Sequence, residues 1–442
     1  MADAREAGGK ASLVRAITPF GASLLILNGM MGAGIFALPA TVSAKTGMFT
    51  PWLFVIVAAM FITIALTFAE LASYFRASGG PVLYTSTAFG PSAGFITGWI
   101  LWLGRVAGIA ANMSVLALYA GAIWPVVADG PGRTIMIVIT CVTLTAANVV
   151  GVKEGVRTVA IFTVLKIAPI LLLLVLGIPH YSSEVIAPST IPPLDSIGGA
   201  ALLLMYAFVG FETALVPAAE TENPKRALPR ALVYTMLATG LLYWAISVVY
   251  VSVLPLSEIS GGGARNATLA DVGGALAGPW AAALITFAVV ASIIGNTGSA
   301  LVGVPRVTYA LAENHWLPAW FAKVHPKFQT PANSVIFYGA AVMLFALPGS
   351  FAVLAAAGSL ARILVYLMCI AALPRVRTLA TPEMRDGAYR LPGGMAIPLA
   401  AAVICLWACT QALALSWTIV GVTAALGIAL FWVTHLRKKA PA

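Results

Sequence analysis

Hydrophobic positions along the chain fall into runs of ~20 residues parted by short polar loops, the pattern of helices that cross a bilayer. Twelve runs are expected to be spans: 17–43, 51–74, 94–124, 134–151, 156–178, 195–217, 231–254, 278–304, 333–347, 351–373, 396–414 and 416–435. The ninth and tenth meet at a Pro348-Gly349 turn, and the last two are almost continuous. The first run is interrupted at its middle by Asn28-Gly29-Met30-Met31-Gly32-Ala33-Gly34-Ile35-Phe36, with Pro39 just beyond. A glycine costs a helix interior roughly 1 kcal/mol. In lipid, each freed N–H or C=O also needs a partner. Such a break is a candidate solute site, where helix-end dipoles and bare amides face a ligand. A close helix–helix contact through small residues is the other reading. The sixth run repeats the peculiarity as Tyr206-Ala207-Phe208-Val209-Gly210-Phe211-Glu212, with Pro217 beyond. Two interrupted helices five runs apart suggest two five-helix halves of opposite topology, each opening on its broken helix.

Composition fixes the class. Only 9% of the 442 residues are charged and 60% are hydrophobic, against about 25% charged in soluble domains. The chain reads as an all-α integral membrane protein without room for a soluble domain. The four cysteines, Cys141, Cys369, Cys405 and Cys409, lie in apolar runs and read as buried hydrophobes. The first run is too long for a cleavable signal. The net charge of +10 does not imply nucleic acid. With the N-terminus in the cytoplasm, 19 of the 25 Lys and Arg fall in inner loops and tails, and only Lys45, Arg133 and Arg265 fall outside. Both termini are therefore expected inside. Arg105, Lys166 and Arg362 remain within spans.

Several stretches resemble the amino acid–polyamine–organocation (APC) transporters. Gly32-Ala33-Gly34-Ile35-Phe36 is similar to their Gly-x-Gly-Ile-Phe signature. Ala69-Glu70-Leu71 with Phe75-Arg76-Ala77-Ser78-Gly79-Gly80 resembles their second span and first inner loop. Phe208-Val209-Gly210-Phe211-Glu212, Glu222-Asn223-Pro224-Lys225-Arg226 and Pro229-Arg230 resemble the sixth span and its following loop. Arg306-Val307-Thr308-Tyr309-Ala310-Leu311-Ala312, Leu317-Pro318 and Val324-His325-Pro326 resemble the end of the eighth, and Arg390-Leu391-Pro392-Gly393-Gly394 the start of the eleventh. The ordered set covers nearly the whole chain. The resemblance implies a 5+5 inverted repeat (17–178 and 195–373), two additional helices (396–435), and cytoplasmic tails at 1–16 and 436–442.

The resemblance also assigns roles. The breaks at Met30, Met31, Gly32, Ala33 and Gly34, and at Phe208, Val209 and Gly210, would hold a substrate's α-carboxylate and α-amino groups through backbone. Ala33 stands where some relatives have serine, at the loss of one hydrogen bond. Tyr206 matches a gating aromatic, although plain packing is what aromatics do everywhere. Lys166 matches a fifth-span lysine that takes the place of a bound ion, bridging spans one and eight. It is too deep for an easy snorkel, nine residues (~13 Å) from Arg157. Desolvation makes a buried ammonium costly, so it can also release a proton. Gly104 matches a position near substrate, so Arg105 would border the site and disfavour cationic solutes. Arg362 reads as an interhelical strut. Glu70, Glu212 and Glu220 are the candidate acid partners of the two arginines.

The expected function is secondary transport of amino acids by alternating access across a bacterial inner membrane. Neutral or hydrophobic L-amino acids are favoured, because the pocket reads as apolar with no acid for a cationic side chain. Uniport or proton symport is the first reading, and exchange of amino acids or polyamines, with Lys166 as a fixed charge, the second. Sodium coupling conflicts with Lys166. An enzyme is disfavoured, since His180, His315, His325 and His435 lie at span ends or in loops without metal-ligand spacing. A sensor lacks its effector domain, and a channel its continuous polar pore. No cofactor, metal or accessory subunit is implied. The bilayer, the amino acid and the coupling proton are the expected partners.

Overall fold

The computed structural model describes residues 17–77, 79–151, 156–186, 188, 191–215, 218, 221–254 and 268–439. The expected tail 1–16, residues 440–442 of the expected tail 436–442, Lys153, Pro217, Glu220 and Arg265 lie outside them. Among the described residues, sixteen helices of nine residues or more carry the fold. They are α1 (Pro19–Met30), α2 (Gly34–Thr46), α3 (Thr50–Tyr74), α4 (Pro81–Phe89), α5 (Pro91–Ile123), α6 (Gly130–Val150), α7 (Val156–Gly177) and α8 (Leu194–Phe208). Then come α9 (Pro224–Val253), α10 (Leu269–Ala277), α11 (Pro279–Gly303), α12 (Pro305–Glu313), α13 (Ala332–Ala346), α14 (Phe351–Leu379), α15 (Ala396–Thr410) and α16 (Ala414–Lys439). Among the described residues the strand content is one isolated bridge, Ile17 to Thr221.

Among the described residues, eight stretches are long and apolar enough to cross a membrane, and four shorter apolar helices accompany them, α1 and α8 included. Local chemistry sets their ends. Thr18 caps α1 by accepting the Gly21 amide at 3.1 Å, and Pro19 fills the first turn. Proline likewise opens α4, α5, α9, α11 and α12. Helix α9 begins at Pro224, ahead of the expected 231, because its polar first turns hold Lys225, Arg226 and Arg230. The sixth run is corrected in the same way: its helix stops at Phe208, and Phe211–Leu215 forms a 3-10 turn.

Burial ranks the helices. The apolar windows of α5 and α14 are 78% buried and form the centre of the bundle; those of α6 and α16 are 17% buried. The outer helices expose Ile135, Ile139, Val142, Leu426 and Trp432, side chains suited to lipid. Around the centre, α1 packs on the 3-10 turn that follows α8, and α2 packs on α8 itself. The two interrupted helices therefore run antiparallel, break beside break.

Candidate functional site at the two helix breaks

The first break is short. The Met31 amide still reaches the Leu27 carbonyl at 2.8 Å, and the Gly32 amide turns back to the Met30 carbonyl at 3.0 Å. The Ala33 amide leaves the helical pattern and is taken by Asn112 Oδ1 at 3.1 Å. Asn112 Nδ2 donates to Asn296 Oδ1 at 3.1 Å, and Asn296 Nδ2 to the Asn28 carbonyl at 2.9 Å. Two carboxamides, one from α5 and one from α11, thus satisfy backbone groups that lipid could not. A Cβ at Gly32 would press to 3.2 Å from Asn112 Oδ1, so glycine lets the amide approach.

Lys166 closes the end of α1. Its Nζ donates to Asn28 Oδ1 at 2.6 Å and to the Met31 carbonyl at 2.9 Å. The side chain is fully buried, which rules out a snorkel to the membrane edge. Ser292 Oγ on α11 donates to the same Met31 carbonyl at 3.4 Å, so α7, α1 and α11 meet at one atom. A cation here complements the negative end of the α1 dipole.

The second break follows Phe208. Val209 is extended, and Gly210 takes φ +115°, a backbone region favouring glycine. The Gly210 amide donates to Glu212 Oε2 at 2.9 Å, and its carbonyl accepts Arg105 Nη2 at 3.2 Å. A Cβ on Gly210 would overlap the Gly29 carbonyl oxygen. The two breaks therefore touch backbone to backbone.

Between them lies a cavity of ≈ 20 Å³, room for about one water. Its wall comprises Gly29, Met30 and Gly32 from the first interrupted helix, Arg105, Gly108, Ile109 and Asn112 from α5, Tyr206 and Val209 from the second, Asn296 from α11 and Arg362 from α14. Tyr206 covers one side. Its hydroxyl donates to the Gly108 carbonyl at 2.8 Å and lies 3.0 Å from Asn112 Oδ1, and its ring meets Phe351 edge-on at 5.7 Å. Of the residues expected at the site, Met31, Ala33, Gly34, Phe208, Gly210, Lys166 and Gly104 do not line this cavity. Phe208 packs on Phe61 and Tyr243, with ring centroids 5.5 and 5.4 Å apart.

Two expectations are corrected. The pocket is not apolar: two guanidinium groups and two carboxamides face it. Arg362 lines the wall and also pairs with Glu212, Nε to Oε1 at 3.5 Å, tying α14 to the turn that follows the second break. Glu212 is held from its other side by the Tyr366 hydroxyl at 2.8 Å. Glu70 partners neither intramembrane arginine. Its carboxylate takes Arg377 Nε and Nη2, each at 2.7 Å, and the Leu391 amide at 3.0 Å. Asn112, Asn296 and Ser292 were missed by sequence reasoning. Their one signal is that polar side chains inside a span need partners.

Comparison with known proteins places this geometry in context. An amino acid permease family model matches residues 17–435. The chain is similar to a methylthioribose transporter and a branched-chain amino acid permease of Bacillus subtilis (strain 168). Each is 27% identical over 420 residues, covering 90% of this chain and 88% of the relative. It is also similar to a serine/threonine exchanger of the same organism, 29% identical over 332 residues, 73% of this chain and 74% of the relative.

Proposed function

The chain belongs to the amino acid permease family of the APC superfamily, and on that premise we propose that it moves amino acids across a bacterial inner membrane by alternating access. The observation that carries this reading is the pair of antiparallel helix breaks meeting at one buried cavity. Two helix ends there present opposite dipoles, which suits a zwitterion. The cavity as it stands is too small for an amino acid. Solute entry therefore requires α5, α8 and α14 to part and Tyr206 to leave its two acceptors, so the gate is the tyrosine rotamer together with helix rocking.

Packing supports two inverted five-helix repeats with two further helices, twelve spans in all. Such a relation maps the first five runs onto the sixth to tenth. Helix α3 packs on α9, and α6 on α13, each a run against its own counterpart. Helix α5 packs on α14, and α7 on α11, two contacts that the relation exchanges. The Lys and Arg distribution supports cytoplasmic termini. The backbone around Met30, Gly32 and Val209 is the proposed substrate surface, with Arg105 at its border. Lys166 is the proposed built-in cation that fixes the end of α1 and is the candidate carrier of a coupling proton.

Exchange is the second reading, favoured by the similarity to a serine/threonine exchanger. Uptake of labelled L-amino acids into proteoliposomes separates the two. Uptake that rises with an inward proton gradient, and loses that dependence in Lys166→Ala, supports symport. Uptake indifferent to the gradient but accelerated by internal amino acid supports exchange. No amino acid uptake under either condition refutes the proposal.

A further inference from the structure

Beside the C-terminal ends of α3 and α14, the segment 380–395 that joins α14 to α15 is fastened to the helices next to it. The Leu391 amide donates to Glu70 Oε2 at 3.0 Å, and the Tyr389 amide to Ser73 Oγ at 3.0 Å, both acceptors on α3. Lys225, at the start of α9, gives its Nζ to the Glu383, Met384 and Asp386 carbonyls at 2.9, 3.1 and 2.6 Å. Those bonds spend every donor an ammonium has. Arg377 is spent on Glu70 and on the Gly394 carbonyl, the latter at 3.0 Å. Two bundle helices thus hold the segment in one shape.

Held this way, the segment walls a second cavity, of ≈ 330 Å³. That volume lies at the small end of ordinary ligand sites, roughly 300–1,000 Å³. Its described wall is Tyr74 from the last turn of α3, with Arg385, Ala388 and Arg390 from the segment. Tyr74 is anchored by its hydroxyl, which donates to Glu70 Oε1 at 3.2 Å. The two guanidinium groups keep most of their five donors each. Arg385 Nη2 donates to the Arg377 carbonyl at 3.2 Å, and the Arg390 side chain donates to no described residue. Acids stand nearby. Glu70 is taken by Arg377. Among the described residues no carboxylate, Glu383 and Asp386 of the same segment included, lies within ion-pair distance of Arg385 or Arg390.

We propose that this cavity binds a phosphate group through Arg385 and Arg390, a chemistry that an acidic phospholipid headgroup and free phosphate share. The planar fork of a guanidinium can give phosphate oxygens two parallel hydrogen bonds. The preference for basic residues in inner loops accounts for arginines in such a segment. It does not account for two of them sharing one cavity whose wall is pinned to α3 and α9. Helix α15 begins at Ala396, shortly after Arg390, and exposes Leu399, Val403 and Leu406. Their i, i+4, i+7 spacing puts them on one face, a strip suited to acyl chains. Basic pockets at the inner ends of spanning helices take lipid headgroups in this manner. None of the described wall residues lines the cavity between the breaks, so this site is separate from the solute site.

The test is thermal unfolding of the purified full-length protein in detergent, read by intrinsic fluorescence. Phosphatidylglycerol, phosphatidylcholine, inorganic phosphate or sodium chloride is added, the two salts at matched ionic strength. A rise in midpoint with phosphatidylglycerol beyond that with phosphatidylcholine supports the site with the lipid as source. A rise with inorganic phosphate beyond that with chloride supports it with the free group. Neither rise would overturn the proposal. Arg385→Gln combined with Arg390→Gln should raise the half-maximal ligand concentration roughly tenfold or more, the worth of one charge-assisted contact. Ala388→Glu keeps both arginines but sets a carboxylate in the cavity, and should act alike. Arg306→Gln, an exposed arginine on α12, is the control and should respond as wild type. A response unchanged in the double variant or in Ala388→Glu, or weakened equally in Arg306→Gln, would also overturn the proposal. No arm measures transport, so failure here leaves the permease reading untouched.

Discussion

Gly210→Ala tests the contact between the two breaks. At Gly210 the backbone has φ +115°, a conformation costing a non-glycine residue of order 1–3 kcal/mol. The added methyl would also overlap the Gly29 carbonyl oxygen and approach the Met30 amide to 3.3 Å. Those atoms are backbone, so no rotamer change relieves the clash. Overpacking of this kind costs typically 1–3 kcal/mol, and the sum is about 2–6 kcal/mol. The control is Gly199→Ala, within α8, where a Cβ meets nothing within 4 Å. That change should be neutral or stabilise by up to ~1 kcal/mol. Unfolding of the purified proteins in detergent, read by intrinsic fluorescence against denaturant, gives the ranking. Gly210→Ala should be the less stable by several kcal/mol and should lose transport. Equal stability and uptake in the two variants would refute the claim that the breaks touch at Gly210.

Other perturbations follow from the same geometry. Lys166→Met leaves Asn28 Oδ1 and the Met31 carbonyl without their ammonium donor. The Met31 carbonyl keeps its bond from Ser292, so at ~1–3 kcal/mol for the one unsatisfied acceptor, detergent unfolding should show a loss of about 1–3 kcal/mol. Glu70→Gln breaks a carboxylate–guanidinium pair whose acid is fully buried. It should destabilise by roughly 3 kcal/mol, and adding Arg377→Gln should cost little more, as a double-mutant cycle would reveal. Tyr206→Phe removes the hydroxyl's contacts with Gly108 and Asn112. At ~1 kcal/mol per hydrogen bond, a cysteine in the cavity should react with thiol reagents roughly fivefold faster or more.

The apolar runs were legible because spanning helices announce themselves by length, and helix ends matched them within a few residues at α3, α7 and α11. The breaks were legible because three glycines in six residues, and a glycine beside an acid, contradict the surrounding helix. Helices α4, α10 and α12 were not, since nine-residue segments carry too little hydropathy to rise above loop. The amides of Asn112 and Asn296 were hidden because a lone amide in an apolar span carries no periodic signal. Arg362 was visible as a buried charge, but its direction depends on the close approach of Gly104 and Gly108, 254 or more residues away in sequence. The pairing of Glu70 with Arg377 spans 307 residues and is equally invisible to local pattern.

The most direct test of a solute site between the breaks is thiol accessibility at Ile109, a wall residue 2% exposed. Ile109→Cys is placed in a background lacking Cys141, Cys369, Cys405 and Cys409, and reconstituted with known orientation. A membrane-impermeant maleimide is then applied from either side, with and without saturating transported amino acid. Alternating access at this cavity predicts labelling from both sides and its suppression by the solute. Labelling from one side only, unaffected by any transported solute, would contradict the account.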